Sequence, residues 1–154
     1  MDTRQLKSYA PVARQQFIEA VRNKAAQYGL LPDETLPMQR SGDIVTIGGQ
    51  AFSAALGKQR DELASRVAHE GYDAFIDSVA YTWFNRLIAI RFMEIHGYLE
   101  HGYRVLSHPD GGATPEILGN AERVELPGLD RGQVVDLKLD GNKDEELYQL
   151  LLIA

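Results

Sequence analysis

The chain has 154 residues, of which 44% are hydrophobic and 25% are charged, so we expect one globular domain over residues 1–154 with a sizeable core. Because there is no cysteine, disulfide bonds and thiolate chemistry are excluded, which is usual for a cytoplasmic protein. The N-terminus lacks an apolar centre and no apolar run reaches bilayer length, so we expect neither a signal peptide nor a membrane span.

The net charge of −6 is carried by the last third of the chain. Residues 1–107 contain twelve basic and twelve acidic side chains, whereas residues 108–154 contain four and ten. Contacts with nucleic acid phosphates need local positive charge, so a DNA contact is better placed in the first two thirds. The acidic segment is most simply a solvated surface.

Two helices are expected at the start of the chain, one before Pro11 and one that has Pro11 in its first turn. Asp2 and Gln5 have the spacing of a capping box, in which two side chains satisfy the free amides of a helix start. Because Pro11 removes a backbone donor, we expect a short helix that ends at Tyr9. A second helix with Pro11 in its first turn is expected to reach Tyr28.

A β-hairpin is expected at about residues 43–53. The preceding residues, 30–42, contain two prolines and favour an irregular connection. In the hairpin, Ile44–Ile47 favours a strand, Gly48-Gly49 suits a tight turn, and the next three residues can return as the partner strand. The glycine pair could also cradle a phosphate, but a phosphate loop needs more glycines and must open a helix.

The densest apolar run, at about residues 72–96, predicts one long buried helix around which a mainly α-helical domain is built. Placing successive residues 100° apart leaves no face for water, so both sides are expected to be buried. Gly97 can end the helix in the left-handed conformation. Arg86 and Arg91 interrupt the run, and each must find a carboxylate or carbonyl partner.

The segments around this helix are shorter. Residues 56–70 predict a helix that ends at Gly71 and packs antiparallel to the long one. Residues 97–154 form an acidic segment rich in Gly and Pro. Its helix starts are expected at Thr114-Pro115-Glu116 and at the capping boxes Asp130–Gln133 and Asn142–Glu145.

Four large aromatic residues of the long helix are expected to belong to the core: Tyr81, Trp83, Phe84 and Phe92. Trp83, the only tryptophan, is expected to be buried. The alternative is that these rings face a groove beside the arginines of the helix and stack on nucleobases.

No catalytic, cofactor-binding or metal-binding residue is expected in this chain. The spacing of the four histidines does not match a metal site: His69, His96, His101 and His108. None of the serines lies in a nucleophile elbow, which opposes a small hydrolase. A dinucleotide or adenosyl cofactor needs a Gly-rich turn between a strand and a helix, and the sequence has none.

Three stretches resemble the N-terminal region of the PglX family, which are adenine-specific DNA methyltransferases of bacteriophage-exclusion (BREX) systems. They are MDTRQLKSYAPVARQQFIEAV at the start, IVTIGGQAF, and AYTWFNRLIAIRFMEIHGYLEHGYRVLS. The resemblance implies a much longer parent enzyme. That parent would transfer a methyl group from S-adenosylmethionine to the N6 amine of adenine in DNA and take part in phage exclusion.

In the family, a Gly-rich turn holds the cofactor and an Asn-Pro-Pro-Tyr/Phe motif holds the flipped adenine. Neither motif is in this sequence: Asn85 precedes Arg86, Asn120 precedes Ala121 and Asn142 precedes Lys143. The resemblance therefore implies a non-catalytic N-terminal domain. Its partners would be the remaining domains of the methyltransferase, DNA through the parent enzyme, and other BREX components. The alternative is a stand-alone helical module that binds protein and has no enzymatic activity.

Overall fold

The computed structural model describes residues 3–154, with side chains from Tyr9 onward. The described residues form six α-helices, one 3-10 turn and one small antiparallel sheet, which confirms the mainly helical fold class. None of these helices is long and apolar enough to cross a membrane. The elements are α1 (Thr3–Gln27), β1 (Met38–Ser41), β2 (Ile44–Ile47), β3 (Gln50–Ser53), α2 (Ala54–Glu70), α3 (Tyr72–His96), α4 (Glu116–Gly119), the 3-10 turn (Ala121–Arg123), α5 (Arg131–Leu139) and α6 (Asp144–Ile153).

The chain divides into two compact units, which we name the N-terminal unit (Met1–Phe84) and the C-terminal unit (Asn85–Ala154). The boundary falls within α3. Phe75 and Ile76 of this helix belong to the core of the N-terminal unit, and Ile90 packs against the core of the C-terminal unit. The single domain that we expected over the whole chain stays a prediction.

Helix α1 is continuous through Pro11, so the expected break at Tyr9 is wrong. Proline removes one backbone hydrogen bond of a helix, to the carbonyl four residues earlier. Tyr9 and Val12 are 64% and 53% exposed, so water can reach the helix at this point and hydrate the freed carbonyl group. The capping box expected at Asp2 lies outside the described residues.

The sheet has three strands in the order β1-β2-β3, one more than the expected hairpin. The β2-β3 hairpin is confirmed, with Ile47 opposite Gln50 across the turn. Gly48 and Gly49 take positive φ angles of 55° and 84°, as a tight two-residue turn requires. The expectation of irregular structure over residues 30–42 is wrong in part, because residues 38–41 form a strand. Strand β1 is a polar edge strand whose stability comes from pairing with β2, which its own sequence does not indicate.

The core of the N-terminal unit is formed by α1, the connection after it, α2 and the first half of α3. Its buried residues are Ala25, Leu30, Phe75 and Ile76. Ile18 and Val21 of α1 pack against this cluster. Leu63 and Val67 of α2 pack against it as well, so α2 and α3 share a core as expected.

Gly57 lets α2 approach the sheet closely. It is buried, and a Cβ atom at this position would lie 2.9 Å from Cγ1 of Val45 and 3.3 Å from Sδ of Met38. Val45 is 1% exposed and β-branched, so its methyl group cannot move away easily. The contact between helix and sheet therefore requires a residue without a side chain.

We expect Gly57→Ala to lower the free energy of unfolding by up to about 2 kcal/mol. Overpacking costs about 1–3 kcal/mol, and the better helix propensity of alanine offsets about 1 kcal/mol of it. Urea unfolding followed by circular dichroism measures the change. The matched control is Gly119→Ala, where a Cβ atom meets nothing within 4 Å. A Gly57 variant as stable as that control would show that α2 does not need this close approach.

The core of the C-terminal unit is formed by the segment after α3 and by the three C-terminal helices. Its buried residues are Val105, Ile117, Ala121, Val124, Val134, Leu137, Leu147 and Leu151. Each short helix therefore contributes at least one fully covered side chain. Helix α6, whose sequence has no stop signal, is held by Leu147 and Leu151, which are 1% and 4% exposed.

The helix starts of this unit agree only in part with the capping signals. Asp130 caps α5 as expected, accepting hydrogen bonds from the amides of Gly132 at 2.8 Å and Gln133 at 3.3 Å. A short helix follows Thr114 as expected, but Thr114 does not cap it. The residue in the N-cap position is Pro115, which has no side-chain acceptor.

The cap expected at Asn142 is wrong. The amide of Asn142 donates to the carbonyl of Asp140 at 2.7 Å, so Asn142 belongs to the turn after α5. The N-cap position of α6 is Lys143, whose side chain makes no capping hydrogen bond. The first turn of α6 instead carries Asp144, Glu145 and Glu146, which interact favourably with the positive end of the helix dipole.

Candidate functional site

The second half of α3 presents an apolar surface to solvent. Ile88 and Phe92 are each 53% exposed, Ile95 is 62% exposed, and Tyr98, just after the helix, is 64% exposed. Residues three and four apart lie on the same side of a helix, so these side chains form one stripe. We name these four residues the exposed α3 surface. The expectation that α3 is buried on all sides is therefore wrong.

The opposite side of α3 faces the core of the C-terminal unit. Ile90 packs against that core. Glu94 lies four residues further along and, counting its backbone atoms, is 7% exposed. Gly97 follows with a φ angle of 66°, which confirms the expected left-handed helix end. A single core covers one side of a helix, and α3 carries more apolar residues than that side can hold.

The aromatic residues of α3 are not all core residues. Tyr81 is 70% exposed and Phe84 is 39% exposed, while Trp83 is half-buried. Phe84 makes an edge contact with Phe17 of α1, with the ring centroids 6.3 Å apart. The core assignment is therefore wrong for Tyr81, Phe84 and Phe92, and Trp83 is less covered than expected.

Three rings at the end of α3 contact one another. The ring centroids of Phe92 and His96 are 4.3 Å apart, those of His96 and Tyr98 are 5.6 Å apart, and those of Phe92 and Tyr98 are 6.0 Å apart. Aromatic contacts of this kind stabilise by about 0.5–1.5 kcal/mol. The cluster therefore fixes the C-terminal end of the exposed α3 surface as an ordered patch.

Glu94 is the buried acid beside this surface, with no part of its side chain exposed to solvent. Its Oε2 accepts hydrogen bonds from the amides of Val105 at 3.1 Å and Leu106 at 2.8 Å. Its Oε1 accepts from the hydroxyl of Ser107 and from the guanidinium of Arg91. Arg91 also donates to the Ser107 hydroxyl at 2.8 Å. The expectation that Arg91 needs a carboxylate partner is confirmed, and Arg86 is not left without a partner either.

These contacts keep the Glu94 carboxyl ionised. Burial by itself raises the pKa of Glu94, but the hydrogen bonds from Ser107 and Leu106 and the charge of Arg91 together hold it below its ordinary value. Glu94 is therefore a buried anion that accepts four hydrogen bonds.

The anion joins α3 to the loop that follows it. The hydroxyl of Tyr148 on α6 donates to the carbonyl of Val105 at 3.0 Å, and burial together with the charge of Glu94 raises the pKa of Tyr148. The amide of Arg104 donates to Oε2 of Glu116 at 2.9 Å. Helices α3, α4 and α6 therefore all hold the same loop, and Glu94 lies at the centre of this arrangement.

The histidines have separate surroundings. His96 lies in the ring cluster, and Nδ1 of His101 accepts from the amide of Tyr103 at 3.1 Å. Burial lowers the pKa of His101. Nδ1 of His108 accepts from the amide of Asp110 at 3.2 Å, and His69 is exposed on α2. Within residues 3–154, no three His, Cys, Asp or Glu side chains are grouped so as to hold a metal ion.

Sequence reasoning missed two buried polar residues, Glu94 and Arg60. Arg60, on α2, is 6% exposed and donates to the carbonyls of Tyr28, at 3.2 Å, and Leu36. The spacing of Arg91 and Glu94, three residues apart in an apolar helix, was a usable signal for a buried pair. No comparable signal marks Arg60, because α2 is rich in charged residues.

Comparison with known proteins found two similar methyltransferases. The chain is 39% identical to the adenine-specific methyltransferase BrxX of Escherichia coli O9:H4 (strain HS), over 161 aligned residues that include all of this chain and 13% of that protein. It is 36% identical to the adenine-specific methyltransferase PglX of Lacticaseibacillus casei (strain Zhang), over 81% of this chain and 11% of that protein. The chain therefore spans roughly an eighth of the length of these relatives. No family model matches the chain.

Proposed function

We propose that the chain, which matches BrxX over its whole length and PglX over 81% of its length, is a non-catalytic N-terminal part of a DNA adenine-N6 methyltransferase of BREX phage defence. The observation that carries the proposal is the 39% identity to BrxX over all of this chain. In this proposal, S-adenosylmethionine and the target adenine bind to other parts of the parent enzyme. The lack of an Asn-Pro-Pro-Tyr/Phe motif supports that division of roles.

The exposed α3 surface is the proposed contact with the remaining domains of the parent. Large exposed apolar side chains grouped on one face are typical of surfaces that another protein surface covers. The C-terminal unit contains seven basic and twelve acidic residues, which gives a net charge of −5 and opposes a contact with DNA phosphates. The surface therefore suits an apolar protein surface with basic side chains around it.

A chimeric enzyme tests the proposal. The region of BrxX that matches this chain is replaced by the chain itself, and N6-methyladenine is measured in the DNA of cells that express the chimera. We expect the chimera to methylate DNA. The isolated chain should neither methylate DNA nor bind S-adenosylmethionine in a calorimetric titration. Saturable binding of the cofactor by the isolated chain would contradict its non-catalytic role.

The contact surface is tested by Ile88→Ser combined with Ile95→Ser, two residues of the surface that lie outside the ring cluster. In the isolated chain, these changes should alter the free energy of unfolding by less than about 1 kcal/mol, because both side chains are more than half exposed. In the chimera, they should reduce the amount of folded enzyme or its methylation several-fold. The matched control is Val135→Ser with Leu139→Ser, two exposed apolar residues of α5 that are 41% and 81% exposed. Equal effects of the two pairs would remove the special role of the exposed α3 surface.

The alternative function, a stand-alone protein-interaction module, uses the same exposed α3 surface. The two proposals differ in whether the partner is covalently linked. A reading frame that continues after Ala154 into a Gly-rich turn and an Asn-Pro-Pro-Tyr motif supports the methyltransferase part. A natural stop codon at that point supports the module.

A further inference from the structure

The N-terminal unit contains a groove that neither the methyltransferase relationship nor the exposed α3 surface explains. Its volume is about 530 Å³, and its lining comes from α1, the connection after it, α2 and the first half of α3. Leu30 and Phe75 form part of its floor and are 0% and 3% exposed. Sites for small molecules in proteins have volumes of about 300–1,000 Å³ and mostly apolar walls. The groove has the size and lining of such a site.

Two cationic side chains lie over aromatic rings of this lining. Nζ of Lys24 on α1 is 5.6 Å from the ring centroid of Tyr28. The guanidinium carbon of Arg66 on α2 is 5.3 Å from the ring centroid of Phe75. All four residues line the groove. Positive charge is therefore placed beside the apolar floor from two different helices.

The acidic side chains around the groove leave this positive charge incompletely balanced. Arg66 donates to both carboxylate oxygens of Glu70, at 3.1 and 3.4 Å, so the positive charge that remains unpaired among the described lining residues is that of Lys24. Among the side chains described from Tyr9 onward, no carboxylate pairs with Lys24, and no Asp or Glu lines the groove. The lining also includes the polar residues Ser78 and Thr82, which are exposed on α3. Charge complementarity thus favours an anionic group at the rim with an apolar body on the floor.

We propose that this groove binds a small molecule with an apolar body and one anionic group, such as a carboxylate. The apolar body lies on the floor formed by Leu30 and Phe75, and the anion lies between Lys24 and Arg66. The half-buried ring of Trp83 lines the same groove and contacts the ligand. This site is independent of the proposed role in a methyltransferase.

The test uses three probes with the same ten-carbon chain: decanoate, decanol and decylammonium. Because Trp83 is the only tryptophan, its fluorescence reports occupancy of the groove directly. Each probe is titrated into the full 154-residue chain, and calorimetry provides a second measurement of affinity. We expect a saturable shift of the emission to shorter wavelength with decanoate, weaker binding of decanol, and the weakest binding of decylammonium.

Two variants test which side chains make the groove prefer an anionic ligand. Lys24→Gln and Arg66→Gln should each weaken decanoate binding by about two- to fivefold, which is the usual contribution of an exposed charge pair, and leave decanol binding unchanged. The control is Lys58→Gln, an exposed lysine of α2 that does not line the groove. Ala20→Phe places a ring in the groove from its exposed edge and should abolish binding of all three probes.

Three results would overturn the proposal. The first is the absence of any saturable response of Trp83 or of the calorimetric signal to decanoate. The second is equal or tighter binding of decylammonium. The third is decanoate binding that Ala20→Phe leaves intact, because the ligand would then occupy a different place. Each variant is first checked by circular dichroism, and Lys24→Gln changes an exposed side chain whose loss leaves the core intact.

Discussion

Replacing Glu94 by alanine should lower the free energy of unfolding by about 3–5 kcal/mol, because the amides of Val105 and Leu106 lose a charged acceptor and each such loss costs about 1–3 kcal/mol. Arg91 and the Ser107 hydroxyl lose the same partner. Glu94→Gln keeps the shape and one acceptor oxygen, so it should cost less. Urea unfolding followed by circular dichroism gives the values, and hydrogen exchange of the two amides should become faster.

The matched control for this prediction is Glu100→Gln. Glu100 is an exposed acid six residues further along the chain, so its substitution should change stability by less than about 0.5 kcal/mol. If Glu94→Ala were as stable as this control, the buried carboxylate would make no net contribution to the free energy of unfolding. The loop around Val105 would then be held by α4 and α6 alone.

The contribution of Glu94 should depend on pH in a defined direction. Its pKa is lowered in the folded protein, so the folded state binds fewer protons than the unfolded state between the two pKa values. The stability difference between the wild type and Glu94→Gln should be constant above the ordinary pKa of glutamate, about 4.3. It should shrink as the pH falls through the lowered folded-state pKa. A difference that grew on acidification would contradict the ionised state of Glu94.

Replacing Gly29 by alanine should lower the free energy of unfolding by about 2–5 kcal/mol. Gly29 has a φ angle of 69°, and a Cβ atom there would lie 2.6 Å from Cγ2 of Ile47 and 2.9 Å from Cβ of Leu36. The left-handed conformation costs an alanine about 1–2 kcal/mol, and overpacking adds about 1–3 kcal/mol. Since Ile47 is 2% exposed, its side chain has little room to move.

Gly49→Ala separates the cost of the left-handed conformation from the cost of overpacking. Gly49 has a φ angle of 84°, but a Cβ atom there meets nothing within 4 Å. This variant should therefore lose only the conformational part, about 1–2 kcal/mol. Urea unfolding of both variants under the same conditions gives the comparison. Equal losses at the two positions would mean that the connection before β1 relaxes freely around the new methyl group.

The elements with strong periodic or turn signals were predictable from the sequence. The Gly48-Gly49 turn fixed the β2-β3 hairpin, and Asp130 marked the start of α5 because its side chain acts locally. Strand β1 was missed because its stability comes from pairing with β2, which depends on tertiary structure. Pro11 was overestimated as a helix breaker, since the cost of a lost hydrogen bond falls where water reaches the backbone.

The candidate surface was less predictable than the fold. Hydrophobicity shows that α3 has more apolar residues than one face needs, but it does not show which of them a core covers. Ile90 and Ile95 are alike in sequence terms, yet Ile90 packs against the core and Ile95 is 62% exposed. The burial of Glu94 depends on the path of the loop that follows α3. Such contacts between distant residues leave no periodic signal.

The hydrogen bonds of Arg60 also bear on the order of folding events. Arg60 is 32 residues after Tyr28 and 24 residues after Leu36, whose carbonyl groups it binds. During synthesis, the connection between α1 and β1 therefore leaves the ribosome well before Arg60, whose side chain binds it. Closing these long loops costs chain entropy, so we expect the connection to acquire its native form late. Substitutions at Arg60 should then speed unfolding much more than they slow folding, which makes this residue a determinant of the lifetime of the folded state.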